Sequence, residues 1–541
     1  MGSMISITIQ CGCGQRYSFE VEPVQGRMPS RVACPACGAD GTAAANAAIA
    51  QQDAGAPRPE PARPAPAARP GARPGAGTKW AIAAGVAGLL LLAVIGVLLL
   101  LPSRGAGGRA SGKASLAAPT EAVSEGLPNT LEELNQWYAE PPSGENAATF
   151  FLQGFGLLQI AQADRNSPNL PLIGKATLPL PGQPLPAAMK SAISALVKRN
   201  QAALDFFRQG AKRTQSRYPL DFTQGERMPV LHLSKVKQGG QVAVLSALAG
   251  AEAGEADQAA EGVLLALAIN SSLGKEPLLI SQMVRSVGLS AAVGGLEQAL
   301  NRVSFPAGNL DRLEQSFKAQ EERETAGEGL TCALVGERAL NLALFDMPPE
   351  KLEQLLTGVE QLLAGAGNAP TGAQREELLA YLKDTKARKA ERQFGLETWS
   401  QALAARKEPF PARLTTFKAF DARRASEAAG KHLSLAQRVT PALGGYAAKE
   451  ASNLANLRLG MTALALERFR SAHDGRYPGA LGDLVPALLA AVPSDPFDGQ
   501  PLRYRRQAGG YLLYSIGPDL KDDGGKRMAG GKGDLVFEVV R

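Results

Sequence analysis

The sequence predicts a multidomain, mainly α-helical chain: a small β module at the N-terminus, one transmembrane helix, an α-helical bundle or irregular α-solenoid, and a C-terminal α+β module. Three observations carry this. An uncharged run of about twenty apolar residues begins at Trp80. Four of the five cysteines lie within the first forty residues, and helical apolar periodicity dominates from residue 127 to about residue 445. The 541 residues are 45% hydrophobic and 20% charged, ordinary for folded protein, but only 5% aromatic. Few aromatics with abundant Ala and Gly favour close helix packing over an aromatic-rich β core or a carbohydrate groove.

Residues 1–42 make the first module. Ile5, Ile7 and Ile9 alternate with polar residues, and so do Tyr17, Phe19 and Val21, which predicts strands. Cys11 and Cys13 form one pair and Cys34 and Cys37 another, each followed by a glycine, Gly14 or Gly38. Four thiolates brought in by two short turns suit tetrahedral zinc, and metal binding would supply the folding energy of so short a module. A pair of disulfides is the alternative. The stretch CGCGQRYSFEVEPV…VACPACGA resembles the short zinc ribbons that precede Pro/Ala-rich linkers and membrane anchors in bacterial proteins, over residues 5 to 42. Its Cys-x-Cys half is tighter than the usual Cys-x-x-Cys turn. Arg16, Arg27 and Arg31 are the only basic residues here, so a protein partner is expected in preference to nucleic acid.

Residues 43–79 hold Ala, Pro, Gly and Arg with almost no large apolar residue, and read as a tether. Trp80 to Leu101 then reads as the membrane helix, long enough for a hydrocarbon core of ~30 Å. The net charge of +7 reflects in part Arg58, Arg63, Arg69, Arg73 and Lys79, a positive-inside signal ahead of that helix. A single-pass protein of a bacterial inner membrane is expected, with a cytoplasmic N-terminus and periplasmic C-terminal domains. Ala81 with Gly85 and Ala84 with Gly88 place small residues four apart, which would let two such helices approach as a homodimer. A second linker spans 102–126.

Within 127–445, Met189, Ile193, Leu196, Leu204 and Phe207 mark an amphipathic stripe after Pro186, while 278–300 and 333–345 read as mostly buried helices. Val242 to Ala253, a turn at Gly254–Asp257, and Ala259 to Leu273 predict an αα-hairpin. Its GEADQAAEGVLLAL resembles one tetratricopeptide-type unit, without a sustained 34-residue period. No HExxH, GxSxG or GxxxxGK[ST] motif occurs, and His232 and His432 are far apart. His232 reads as a packing residue, and Cys332 stands alone. Glu337 and Arg338 sit within an apolar helix, either paired in a site or along its exposed edge. Lys383 to Gln393 reads as a solvated helix face with Asp384 and Arg388 paired at i,i+4.

Residues 446–541 form the last module. A helix with an apolar stripe of Leu454, Leu457, Met461, Leu464 and Phe469 runs into HDGRYPGALGDLVP, and three strands follow around DPFDGQPLRYRR, GGYLLYSIGPDLKDDGG and GDLVFEVV. This order resembles the globular head of type II secretion major pseudopilins. That resemblance implies calcium held by the acidic loop, here through Asp519, Asp522, Asp523 and Asp534; a solvated acidic loop is the alternative. The chain departs from the family in placing its membrane helix over three hundred residues upstream of the head.

Together these features point to a non-enzymatic, membrane-anchored scaffold or adaptor with protein partners on both sides of the membrane. The alternatives are an envelope hydrolase using carboxylates of the helical region, and membrane-tethered nucleic-acid binding through the N-terminal module.

Overall fold

The structure is a computed structural model that describes residues 5–10, 16–21, 28, 32, 40–53, 126–354, 357, 376, 383–430, 441–529 and 531–541. Trp80 to Leu101 and both flanking linker cores lie outside the described residues, as do Cys11, Cys13, Cys34, Cys37 and His432. The chain divides into two compact units, Met1–Gly77 and Thr78–Arg541.

In the first unit, β1 (Ile5–Gln10) and β2 (Arg16–Val21) pair antiparallel, with Ile7 opposite Phe19. The two expected strands are present. Residues read from composition as the start of a tether instead form α1 (Thr42–Asp53), whose Ala45 and Ile49 are buried with Ile7 and Val21. Side chains of this helix also anchor the preceding loop: Val32 N donates to Thr42 Oγ1 and Met28 N to Asn46 Oδ1. Ala45 and Ile49, four residues apart, give this alanine-rich helix an apolar face toward the hairpin that its overall composition does not announce.

The second unit is mainly helical. Its first helices are α2 (Leu131–Trp137), α3 (Ala147–Gly156), α4 (Gln162–Asn166), α5 (Ala187–Arg199) and α6 (Gln201–Ala211). Met189, Ile193, Leu196, Leu204 and Phe207 are all buried, as their spacing predicts. Next come α7 (His232–Ala253), α8 (Ala256–Ser271), α9 (Leu279–Leu300), α10 (Ala307–Ala326) and α11 (Glu328–Asp346). The αα-hairpin of α7 and α8 turns at Gly254, whose φ of 77° is the left-handed cap that glycine adopts without steric cost. Gly262 lets these two helices touch backbone to backbone, since a Cβ there would lie 2.4 Å from Ala247 N.

α12 (Thr385–Ala405), α13 (Ala412–Gly430) and the thirty-residue α14 (Leu443–Ala472) complete the helices. Three strands close the chain: β3 (Arg503–Gln507), β4 (Gly510–Ser515) and β5 (Leu535–Val540), in the spatial order β3-β4-β5, all antiparallel and not closed into a barrel. The sheet joins the helices in one hydrophobic core, where Tyr511, Leu513, Phe537 and Val539 pack with residues of α7 to α14. Among the described residues, α9 is the one helix long and apolar enough to cross a membrane by length and composition, and half of that span is buried within the protein against α7, α8 and α14.

Candidate functional site: the cleft and sealed sheet edge

An open cleft of about 210 Å3 lies where α9, α14 and β5 meet, lined by Ser290, Glu297, Asn456, Arg527, Asp534 and Phe537 among others. Polar side chains cross from α9 to α14 beside it. Asn453 Nδ2 donates to Ser286 Oγ at 2.8 Å, Ser290 Oγ to Asn453 Oδ1 at 3.2 Å, and Asn456 Nδ2 to Ser290 Oγ at 3.2 Å.

The cleft's charges are spent on the sheet. Arg527 donates from Nη2 and Nη1 to Glu297, at 2.7 and 3.3 Å, and from Nη1 to the Val536 carbonyl at 3.0 Å. Glu297 Oε1 also accepts the Glu538 amide at 2.8 Å. One turn on, Asn301 accepts the Val540 amide and donates to the Glu538 carbonyl, each at 2.8 Å. The outer edge of β5 therefore meets side chains of α9 that imitate a neighbouring strand, which satisfies amides and carbonyls an edge otherwise leaves open.

The acidic loop overturns an expectation. Calcium needs six to eight converging oxygens. Here the aspartates point at the loop's own amides: Asp534 is buried and accepts Gly525 N at 2.6 Å and Asp523 N at 3.3 Å. Asp519 accepts Gly533 N at 3.0 Å and Lys521 N at 3.2 Å. Asp522 accepts Gly524 N and the Tyr514 hydroxyl, and lies 3.7 Å from the Arg503 guanidinium. Burial raises the Asp534 carboxyl above its ordinary range, whereas the Gly533 amide lowers that of Asp519. Among the described residues, no group of three or more His, Cys, Asp or Glu side chains could hold a metal ion. The expectation of metal cofactors, zinc and calcium, is corrected accordingly: Asp519, Asp522 and Asp534 brace a turn, the Asp523 side chain is exposed, and the four cysteines lie outside the described residues.

Asp495, to which no role falls in the reading of the DPFDG motif, is the anchor of this region. It is fully buried and accepts four bonds, from Phe497 N, Ile516 N, Ser515 Oγ and Arg503 Nη1, all at 2.9–3.0 Å. Desolvation raises its carboxyl even so. An Asp directly before Pro-Phe is an Asx-turn signal, but its two long-range partners, Ser515 and Ile516, carry no local mark.

Glu337 and Arg338 neither pair nor line an exposed edge. Glu337 Oε1 accepts Leu279 N at 3.0 Å and so caps the first turn of α9 from α11; burial raises its carboxyl. Arg338 is buried and donates to Pro128 O at 2.6 Å and Asn129 Oδ1 at 2.7 Å, pinning the segment before α2. Their side chains diverge because adjacent helical residues point about 100° apart. His232 is a satisfied packing residue: its Nε2 lies 3.0 Å from both Glu276 oxygens and its ring stacks on Tyr218 at 4.5 Å. Asp384 and Arg388 do not pair either. Asp384 caps α12 through Lys386 N and Ala387 N, while Arg388 donates to the carbonyls of Phe345 and Met347 at the end of α11.

Two buried ion pairs lie where α9, α10, α13 and α14 converge. Arg285 contacts Glu324 at 2.5 Å, a close ion pair that is off axis for a hydrogen bond, and Arg413 donates to Glu450 at 3.1 Å. All four are at most 4% exposed. Desolvation, with Glu324 nearby, pushes the Glu450 carboxyl up to about 7 against the pull of Arg413. Burial likewise raises the Cys332 thiol to about 11, which keeps it protonated and a poor nucleophile at neutral pH.

Comparison with protein-family models, curated proteins and solved structures finds no match.

Proposed function

We propose that this protein is a membrane-anchored, non-enzymatic adaptor, held by Trp80 to Leu101, whose helical body and fused C-terminal sheet form a rigid platform for protein partners. The observation that carries this reading is where the charges of the cleft go. Glu297 and Arg527 bond to each other and to the backbone of β5, while the cleft's other acid, Asp534, accepts amides of its own loop. A general acid or base needs a free lone pair or proton facing the substrate; these groups are committed to holding the sheet and its loop. Two buried carboxylates are committed in the same way, since Glu337 caps a helix and Glu450 holds Arg413. The N-terminal unit is the second interaction module, on the cytoplasmic side, and the pseudopilin-like order of the C-terminal segment suggests an envelope or secretion component as the partner on the other.

The test is twofold. Full-length protein purified in detergent should show no turnover against esters, peptides, glycosides and phosphoesters, and site-directed crosslinking in intact cells from exposed positions of the body should trap a discrete protein adduct. Turnover abolished by Glu297→Gln or Glu337→Gln would sink the proposal in favour of a hydrolase.

A further inference from the structure

The sheet has two edges, and the chain treats them differently. Gln507 and Gly510 close the β3-β4 hairpin around Ala508 and Gly509, so Gln507, Arg505 and Arg503 exchange bonds with β4, while the amides and carbonyls of Tyr504 and Arg506 point outward. The same alternation on β5 turns Val536, Glu538 and Val540 outward. Those are the three residues that Arg527, Glu297 and Asn301 seal. On β3 no described residue bonds the backbone of Tyr504 or Arg506. Their side chains reach instead beneath the strand, Tyr504 Oη to Pro478 O at 2.9 Å and Arg506 Nη1 to Tyr477 O at 3.4 Å.

The open edge is also basic. Its sequence is Arg-Tyr-Arg-Arg-Gln, with Arg505 and Arg506 exposed. Arg503 is already neutralised by Asp495 and Asp498. A second copy is a poor occupant, because two-fold pairing of β3 with itself sets arginines of the two copies against one another. An acidic strand has the complementary charge.

We propose that β3 is a docking edge that takes an extended acidic segment of a protein partner as a fourth strand, with backbone bonds at Tyr504 and Arg506 and its carboxylates, all on one face, met by Arg505. Strand addition takes affinity from main-chain bonds and selectivity from side chains, and here the selectivity is for charge. The strand's arginines also deter self-pairing, so one short strand both protects the edge and chooses its partner. This inference rests on the adaptor reading and gives the partner its chemistry.

The test uses full-length protein in detergent with two blocked peptides, one alternating valine with glutamate and one alternating valine with lysine. The glutamate peptide should bind about tenfold tighter at low salt. It should slow hydrogen exchange at the Tyr504 and Arg506 amides and leave Val536 to Val540 unchanged. Arg506→Pro, which removes an outward amide but no bond to β4, should abolish binding. Arg505→Glu leaves the backbone intact and should reverse the preference between peptides, so a folding defect in the proline variant cannot decide the result. Equal affinity for both peptides, protection elsewhere than at Tyr504 and Arg506, protection of those amides by single-stranded oligonucleotide in place of peptide, or self-association lost in Arg505→Glu would each overturn the proposal. Peptide binding without a trapped cellular partner defeats the adaptor reading alone, whereas a trapped partner indifferent to Arg506→Pro defeats the docking edge alone.

Discussion

Glu450 shows how a single buried carboxylate makes stability depend on pH. It faces Arg413 at 3.1 Å and the nearby Glu324, Arg285 and Tyr446, and its pKa rises from 4.5 to about 7. Between those values the folded protein holds a proton that the unfolded chain has released. The stability from this group is therefore fully present below about pH 4.5 and lost as pH rises through about 7, by an amount on the order of 3 kcal/mol. Glu450→Gln cannot ionise, so the fall in Tm between about pH 5 and 8 should flatten relative to the unsubstituted protein, as differential scanning calorimetry would read directly. An unchanged slope would place the titrating group elsewhere.

At the scale of elements, helix α9 organises the fold. Glu337 caps its start from α11, and its own Glu297 and Asn301 seal β5 near its end. The sealing is a long-range version of a strand ladder, since Asn301 offers both an acceptor and a donor, as a peptide group does. Asn301→Leu keeps similar volume but leaves the Val540 amide and Glu538 carbonyl without it. We expect a loss of about 1–2 kcal/mol in urea unfolding and faster exchange of the Val540 amide, with the β3-β4 hairpin amides unaffected. Uniform loss of protection across all three strands would instead mean that the side chain holds the whole sheet.

Among the described residues of the second unit, helices and sheet share a core in which strand residues such as Phe537 pack with helices separated from them by hundreds of positions. Helices and sheet should consequently unfold together. Far-ultraviolet circular dichroism and fluorescence of Trp399, which is fully buried in α12, should give coincident denaturant midpoints for the second unit. Trimming β5 would then lower the midpoint of the helices as well; two separate transitions would show that the C-terminal strands melt by themselves.

Much of the architecture is legible in the residues. The αα-hairpin around Gly254, the stripe from Met189 to Phe207, the buried helices near 279–300 and 328–346, and the three C-terminal strands follow from apolar period and turn chemistry, which act over a few neighbouring positions. The direction of each polar side chain is another matter. Asp519 and Asp534 have the composition of a cation loop, yet their oxygens meet the loop's own amides. Glu297 reaches a strand 241 residues further on. Such partners are set by which surfaces the packed core brings together, and a carboxylate beside a buried amide bonds to it because an unmet donor there costs about 1–3 kcal/mol. The sequence by itself thus determined the periods, the turns and the apolar run at Trp80. Only the tertiary structure decided that β5 is sealed, that β3 is open, and that the charges read as a site are the fastenings of the fold.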